Sequence, residues 1–539
     1  MVYSNLVSDE GTAKATEFIP GRKDDMKKNL AGGVSFKADD FTALRRWLLT
    51  GSFSNFFYES SRKNTNENLD TLINCINQNP VKVAEEIVYA TNHGTMASQH
   101  TCILALVHLS NGNQIAKKEF RNIFNDVIRT ASHLYEFVAY TKKIRGMGKT
   151  IHKAVNGWIK SKNASDLEYQ FLKYQQREGF SNRDILRLFK PVPRNEVEDS
   201  LFSWVAQKNK PLANELERIQ VYEGLKRGDY SEKEVVKAIA GFGLTHEMIP
   251  ANVERTTKVW TALFYKMPMT ATIRNLATLT RNEVFKDIKN LDVLEEKLSK
   301  EMLQKSRVHP LEIANAQKIY SSGGAIGRST NSNFEPIPRV IDILEDAVHN
   351  SFITQEPTGK HFFHALDISG SMEWADLAGM PGLFLNPFEI ETIMALTTVK
   401  TEKNYYVGGF SDSFIQLPEF RSKSTIKSAI TEAGRHGFGG TNAASAYEHA
   451  IEQNIYTDVF VFWTDNENWG GRYNGGQPSL LLKEYRKKIN PETKAIYITL
   501  VPYSDNVTLS DPKDPLSYDI GGFSSQTPKL ISMIAEGLI

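Results

Sequence analysis

Amphipathic helical segments follow one another from about residue 40 to about residue 345, and this run constrains the fold more than any other feature. Apolar residues repeat with the spacing of one helix face at Leu69/Leu72/Ile73/Ile76, Ala84/Ile87/Val88, Ile103/Leu106/Val107 and Phe120/Ile123/Phe124/Val127/Ile128. Segments recur about every 20 residues, hence one helix pair per about 40, the period of HEAT or armadillo arrays. The pattern predicts a HEAT-like all-α repeat domain, and an irregular all-α domain is the alternative.

The last third of the chain has a different period. Helices are expected near 388–399, 423–433, 442–453, 480–488 and 527–538, and strands near 404–410, 458–464 and 494–501. Strands that alternate with helices predict an α/β doubly wound sheet. The stretch 321–338, rich in Gly, Ser, Asn and Pro, reads as a linker. We therefore expect a polar N-terminal arm at 1–38, with order beginning at Asp40, a helical domain at 39–345 and an α/β domain at 346–539.

Oxygen-bearing side chains follow two of the predicted strands. The apolar run 361–366 leads into Asp367, Ser369 and Ser371, an Asp-x-Ser-x-Ser turn. Thr441 follows a Gly-Gly turn that opens a helix, and Asp465 ends the strand 459–464. Ligands of open α/β sheets bind at the carboxyl ends of strands, and small oxygen donors suit Mg²⁺. The set resembles the metal-ion-dependent adhesion site of von Willebrand factor A domains, and a solvated turn is the alternative.

Positive charge is concentrated in residues 141–190. This stretch has twelve basic and four acidic residues, a net charge of +8 in a chain whose total is +1. Trp158, Tyr169, Tyr174 and Phe180 lie among the basic residues. A basic surface with aromatic side chains is typical of a nucleic-acid site. A solvated helix face, with its acids elsewhere in the fold, is the alternative.

Other sequence features bound the class of protein. The two cysteines, Cys75 and Cys102, form no zinc or disulfide pattern, and no apolar run approaches the length of a membrane span. The start of the sequence lacks an apolar signal segment. We expect a cytoplasmic, monomeric protein without a membrane partner. No arrangement of nucleophile, base and acid stands out, so we expect no enzymatic activity.

Several longer motifs stand out along the chain. They are residues 44–48 with Gly51, 148–155 with Trp158, 173–181 with 184–188, 267–271 with 274–276, 356–360, 464–467 and 484–488. Together they resemble one family, the Ro 60 kDa family, in which a TROVE module precedes a von Willebrand factor A domain. The resemblance runs from about residue 40 to the C-terminus and looks bacterial or phage-borne.

The resemblance implies a ring of HEAT-like helix pairs closed by the A domain. It implies Y-like noncoding RNA on a basic outer surface and single-stranded 3′ ends of misfolded or structured RNA in the central hole. It also implies a link to an exoribonuclease such as polynucleotide phosphorylase, and a magnesium ion or another divalent cation in the A domain. The expected RNA-binding residues are Lys142, Lys149, Lys153, Lys173, Arg177, Arg187, Lys190 and Arg274.

This chain differs from the family at one position that contacts RNA. Lys173 and Arg177 match positions that contact Y RNA in the family, but a third contact, a histidine, falls where residues 187–191 read Arg-Leu-Phe-Lys-Pro. Lys190 is the nearest cation. Two functions are therefore expected: an RNA-binding scaffold in RNA quality control, or a magnesium-dependent protein-adhesion module presented on a helical scaffold.

Overall fold

The computed structural model describes most of the chain. The described residues are 13–50, 61–306, 308–324, 333–351, 357–374, 384–436, 439–501, 503, 505–522, 524 and 526–539. Some residues of the predicted motifs and linker lie outside the described ranges. They are Gly51, residues 325–332 and Glu356. No helix in the described part of the chain is long and apolar enough to cross a membrane.

The first two thirds of the chain form the expected helical array. Its helices are α1 Asp40–Thr50, α2 Ser61–Gln78, α3 Pro80–His93, α4 Met96–Asn111, α5 Gln114–Val127, α6 Ala131–Ile144, α7 Lys149–Lys160, α8 Ala164–Lys173, α9 Asn182–Phe189, α10 Glu196–Val205, α11 Glu217–Arg227, α12 Glu232–Phe242, α13 Thr257–Lys266, α14 Met269–Arg281, α15 Ile288–Lys297, α16 Lys300–Lys305, α17 Pro310–Ser321 and α18 Pro338–Ser351. The four apolar faces named above lie in α2 to α5, which confirms those helices.

Local sequence explains how these helices start. The Asn79 side chain accepts the N–H of Lys82, and Pro80 follows at the first helical position of α3. Asn113 caps α5 in the same way by accepting the N–H of Ala116. The apolar faces then pack together; for example, the rings of Phe124 and Phe137 meet edge to face at 5.1 Å between centroids. Neighbouring helices thus share one continuous core.

The last third forms the expected α/β domain. Its helices are α19 Gly370–Trp374, α20 Pro387–Thr401, α21 Ile426–Gly434, α22 Ala444–Glu452, α23 Pro478–Lys488 and α24 Thr527–Glu536. The strands are β5 His361–Asp367, β6 Asn404–Phe410, β7 Phe414–Gln416, β8 Val459–Thr464, β9 Lys494–Thr499 and β11 Ser517–Gly521, in the order β11-β9-β8-β5-β6-β7. All neighbours are parallel except β7 on β6. The predicted helices and strands are confirmed, whereas β7 and β11 were not predicted.

The α/β domain contacts both ends of the helical array. At the first end, the Arg46 guanidinium of α1 forms an ion pair with Asp519 of β11 and donates to the Val507 carbonyl at 2.7 Å. At the last end, Lys318 Nζ of α17 lies 2.6 Å from Glu389 Oε1 of α20. The Ile426 N–H donates to Glu345 Oε1 of α18 at 2.6 Å. The helices and the α/β domain therefore close on one another, as expected for a ring.

Two boundaries predicted from sequence need correction. Order begins before Asp40, because β1 Met26–Lys28 and β2 Val34–Lys37 pair with each other and with β10 Val507–Thr508 of the α/β domain. The boundary between 345 and 346 falls inside α18, which packs on α15, α16 and α17 of the helical array. Strand pairing over more than 400 residues of sequence cannot be read from local polarity, so the arm looked unstructured.

Candidate nucleic-acid interface and metal site

The basic cluster lies on α6 to α9 and on a small hairpin between α8 and α9. Lys142 is in the last turn of α6, and Lys149 and Lys153 lie one turn apart on the exposed side of α7. Lys173 ends α8, and Arg177 is on the hairpin. Arg187 and Lys190 lie at the end of α9, where Lys190 adopts the left-handed conformation that ends the helix, with φ 45°. These seven residues are called the basic surface below.

The hairpin is formed by β3 Gln176–Arg177 and β4 Phe180–Ser181. Its two-residue turn, Glu178 and Gly179, has φ of 50° and 76°, which suits a tight hairpin turn. Ser181 then begins α9 through reciprocal hydrogen bonds with Asp184. The hairpin therefore presents Arg177 on a short, well-defined structure. Gly179 is the sequence signal for this turn, whereas Glu178 is not a residue type that favours a positive φ.

Contacts between neighbouring elements hold the basic surface together. The ammonium of Lys142 lies 5.7 Å from the ring centroid of Phe180, which joins α6 to the hairpin. The rings of His152 on α7 and Phe189 on α9 lie 5.0 Å apart. The Asn156 side chain donates to the Phe189 carbonyl at 3.1 Å. The end of α9, with Lys190, is thus fixed against α7.

The cations of the basic surface lie outside the close ion pairs of this region. Within the described residues, none of the seven forms an ion pair, and the ion pairs here involve other basic residues. Two of the four acids in residues 141–190 are engaged elsewhere. Glu168 is buried and lies 3.2 Å from Arg218, and Asp184 is committed to the start of α9. Glu168 is therefore removed from the exposed face, whereas the charges of Asp184 and Glu247 still act on Arg187 and Lys173.

Lys173 lies between aromatic rings. Its ammonium is 5.5 Å from the Tyr169 ring and 5.4 Å from the Tyr174 ring, and it donates to the Tyr169 hydroxyl at 3.3 Å. Burial lowers the pKa of Lys173, but the two tyrosines and Glu247 outweigh burial and raise that pKa above its ordinary value. Lys173 therefore keeps its positive charge although it is only partly exposed.

One expectation about this region changes. Trp158 is fully buried in the core, so it offers no face for stacking a base, whereas Tyr169, Tyr174 and Phe180 are partly exposed. Arg274 is exposed on α14, which follows α10 to α13 in the chain, and so lies on a different element from the seven cations of the basic surface. Its contact with RNA stays a prediction.

The predicted metal-site residues meet at the carboxyl ends of β5 and β8. The hydroxyl oxygens of Ser369 and Ser371 are 3.1 Å apart, and the N–H of Ser369 donates to Asp367 Oδ1 at 3.1 Å. The N–H of Gly370 donates to the Gly439 carbonyl at 3.1 Å, so the Gly-Gly turn before Thr441 lies against the serine turn. All five side chains, those of Asp367, Ser369, Ser371, Thr441 and Asp465, are buried.

Burial of the two carboxylates of this site disfavours their ionised forms. Burial raises the pKa of Asp367, and the nearby charge of Asp465 raises it further. Burial likewise raises the pKa of Asp465, whose Oδ1 accepts the Glu467 N–H at 2.9 Å while Oδ2 is buried without a hydrogen bond. Two carboxylates buried close together favour a bound cation or proton. Hydroxyls and carboxylates are the hard donors that Mg²⁺ prefers, so the residues present fit such an ion.

Other buried carboxylates surround the site and were not predicted. Glu391 of α20 accepts the N–H of Asp367 at 3.2 Å, and burial raises its pKa well above the ordinary value. Glu467 and Asp505 lie near Asp465, and burial followed by the charge of Asp505 raises the pKa of Glu467. No sequence signal marks Glu391, which lies within an apolar helix. In the described part of the chain, no three His, Cys, Asp or Glu side chains are placed to hold a metal, so a cation here needs the hydroxyls.

Comparisons with known proteins agree with this architecture. The TROVE domain family matches residues 27–235 and 243–347, and the Ro60 vWA domain family matches residues 361–535. The RNA-binding protein RO60 of Caenorhabditis elegans is 29% identical over 599 residues, covering 96% of this chain and 91% of that protein. The RNA-binding protein RO60 of Deinococcus radiodurans is 27% identical over 519 residues, covering 95% of each. The crystal structure of the Deinococcus radiodurans RO (RSR) protein matches with a TM-score of 0.67 at 25% identity, covering 93% of this chain and 100% of that one.

Proposed function

The chain belongs to the Ro60 family of TROVE and von Willebrand factor A domain proteins, and from that membership we propose that it is an RNA-binding scaffold without catalytic activity of its own. Its relatives in Caenorhabditis elegans and Deinococcus radiodurans are named RNA-binding proteins. The observation that carries the proposal is the basic surface, where seven cations on packed elements have no ion-pair partner among the described residues.

The bound RNA is a folded noncoding RNA of the Y type. Lysine and arginine on phosphates supply affinity and register, whereas base edges supply sequence readout. The basic surface offers cations on helix ends and a hairpin, which suits the backbone of a structured RNA recognised by shape. Lys190, in place of the family's histidine, adds a phosphate contact at the end of α9.

A second RNA segment enters the closed array as a single-stranded 3′ end. The α/β domain contacts both α1 and the α17–α18 end, and this closure supports a ring through which an unpaired strand can pass. Arg274, apart from the basic surface, is the cation proposed to contact it. The scaffold then acts in quality control or degradation of misfolded RNA in the cytoplasm, as a monomer that can present RNA to an exoribonuclease such as polynucleotide phosphorylase.

The test is the salt dependence of RNA binding. Replacing Lys173 and Arg177 by alanine removes two proposed phosphate contacts. The slope of log affinity against log salt should flatten by about 0.9 per contact on duplex RNA, taking the value for B-form DNA as a guide. Fluorescence anisotropy of a labelled Y-type stem-loop at several salt concentrations measures this slope.

A matched control removes one lysine and one arginine elsewhere. Lys286 and Arg339 are exposed and engaged in ion pairs with Glu283 and with Asp292 and Glu295. The Lys286→Ala/Arg339→Ala variant lowers the net charge equally and should leave the slope near the wild-type value. If both double variants flatten the slope alike, bulk charge explains the binding and the basic surface is not the RNA site.

A second candidate function is magnesium-dependent protein adhesion by the α/β domain. It is favoured by the buried donor set Asp367, Ser369, Ser371, Thr441 and Asp465, which would hold Mg²⁺ or another divalent cation. A bound ion would supply a Lewis-acid contact for a carboxylate of a partner protein. Partner capture that needs Mg²⁺ and persists after nuclease treatment separates this function from RNA scaffolding, and one protein can perform both.

A further inference from the structure

The tip of the hairpin between α8 and α9 carries an acidic side chain within the basic surface. Glu178 follows Arg177 directly, and both residues are exposed. Lys142 of α6 lies against the same hairpin, 5.7 Å from the ring centroid of Phe180. Burial raises the pKa of Tyr140 on α6, and the charge of Glu178 raises that pKa further, so the carboxylate also lies close to α6. Glu178 is therefore an exposed negative charge among the cations.

The fold does not require a glutamate at this tip. Glu178 has φ of 50°, in the left-handed region where a side chain with a Cβ is strained. Glycine and asparagine adopt this conformation at lower cost and are the residues that such hairpin turns prefer. Within the described residues, the Glu178 carboxylate forms no hydrogen bond and no ion pair. The stability of the hairpin therefore gives no reason for a carboxylate here.

Attraction of phosphates does not explain Glu178 either. A negative side chain beside the cations repels every phosphate that approaches them and so weakens binding of any RNA backbone. The other three acids in residues 141–190 are placed differently. Glu168 is buried, Asp184 is committed to the start of α9, and Asp166 lies in the first turn of α8, at the opposite end of that helix from the basic surface. Glu178 thus opposes phosphate binding without contributing to the fold.

A carboxylate distinguishes the RNA bases by their hydrogen-bonding groups. It accepts hydrogen bonds through two oxygens and donates none. On the Watson–Crick edge, guanine alone has two adjacent donors, N1–H and N2–H₂, whereas adenine, cytosine and uracil place an acceptor next to each donor. A carboxylate therefore binds guanine through two parallel hydrogen bonds, as it binds the two N–H groups of an arginine fork. This edge is free only in an unpaired guanine, and proteins recognise such bases in loops and bulges of folded RNA.

We propose that Glu178 is a specificity-determining residue that recognises one unpaired guanine of the bound RNA. Its two carboxylate oxygens accept N1–H and N2–H₂ of the base, and Arg177 binds a phosphate of the same strand. The tight turn fixes the backbone at Glu178 before RNA binds, which reduces the entropy lost on binding. Cations on the helices then supply affinity and the hairpin supplies a base contact. This inference rests on the proposed RNA-binding function and deepens it.

The experiment selects RNA on the full-length protein. A stem-loop RNA with a randomised loop and bulge is bound to wild type, eluted and sequenced. The bound pool should be enriched in an unpaired guanine at one position. The pool selected with Glu178→Gln should lack that enrichment, because the amide keeps the size of the side chain but replaces one acceptor by a donor.

Affinities of one selected RNA, measured by fluorescence anisotropy, then test the contact at single atoms. Replacing its guanine by adenine should weaken wild-type binding by about 5- to 150-fold, the range of a bidentate base contact. Inosine, which lacks only the N2 amino group, should give an intermediate loss. Neither replacement should matter to Glu178→Gln. The matched control is Glu283→Ala, which removes the same charge from an exposed residue that also has a positive φ, 61°, and it should keep the preference for guanine.

The direction of the effect of Glu178→Ala separates base recognition from simple repulsion. If the carboxylate binds guanine, this variant should bind the selected RNA more weakly and its adenine form no more weakly than wild type does. Tighter binding of every RNA by Glu178→Ala, or a wild-type pool without guanine enrichment, overturns the proposal. If Lys173→Ala/Arg177→Ala still flattens the salt slope in that case, the RNA scaffold stands and only the role of Glu178 fails. A wild-type protein that binds no RNA at low salt overturns both.

Discussion

The ion pair between Arg46 and Asp519 joins the first helix of the array to the α/β domain, and its removal gives the sharpest test of closure. Only 4% of the Arg46 side chain and 14% of the Asp519 side chain are exposed, and Arg46 also donates to the Val507 carbonyl. Arg46→Ala leaves a carboxylate and a carbonyl buried without their partner. Breaking a buried pair on one side costs about 3–5 kcal/mol.

Hydrogen exchange followed by mass spectrometry measures the loss of local stability at α1 and β11. Amides of α1 and β11 should exchange about two to four orders of magnitude faster in Arg46→Ala, since about 1.4 kcal/mol corresponds to tenfold. Arg227→Ala is the control, because its pair with Asp229 is exposed by 64% and 48% and should contribute at most about 1 kcal/mol. Equal exchange in the two variants would refute the reasoning that this pair holds the array closed.

Three further predictions concern the metal site, a buried histidine and the hairpin. Asp367→Ala should abolish the rise in melting temperature caused by Mg²⁺. Asp458→Ala, which lies just before β8 at the opposite end of the strands, should retain that rise. An equal rise in both variants would show that Asp367 does not belong to the site. Burial lowers the pKa of His364 from 6.5 to about 3. Between these pH values the histidine is protonated in the unfolded chain but neutral in the folded one, so the free energy of unfolding should fall as the pH decreases from 6.5 toward 3. The free energy of unfolding should therefore fall less with decreasing pH in His364→Gln than in wild type. The difference between neutral pH and about pH 3 should be several kcal/mol, measured from denaturant midpoints. Gly179→Ala should weaken RNA binding without changing helix content, because φ of 76° strains an L-residue by about 1–2 kcal/mol although no atom lies near its Cβ.

Part of the candidate metal site could be read from sequence because its oxygen-bearing side chains lie at strand ends. Asp367, Ser369 and Ser371 follow one apolar strand, and Asp465 follows another, so parallel pairing alone brings them to one edge. Glu391 could not be found in this way. It lies in the middle of α20, and only the packing of that helix on β5 brings its carboxylate to the N–H of Asp367.

The basic surface shows the same division. Charge counting located it between 141 and 190, yet it could not separate Trp158, which is buried in the core, from Tyr169 and Tyr174, which flank Lys173. Nor could it show that Glu168 is buried against Arg218 and does not face the basic surface. Side-chain burial depends on which helix faces meet, and that is a property of the assembled array.

The apolar pattern of the sequence by itself determined the two kinds of architecture. Apolar residues with a period near 3.6 form one face of a helix, and these faces bury themselves against other helices. Apolar strands that alternate with helices bury both faces of a sheet under those helices, which gives an α/β domain. Tertiary structure alone decided where the N-terminal segment docks, how the α/β domain bridges α1 and α17, and which carboxylates crowd around Asp367. The contacts of β2 and α1 join residues more than 400 positions apart, and the contact of α17 joins residues 71 positions apart; their geometry follows from packing and strand pairing that no local pattern records.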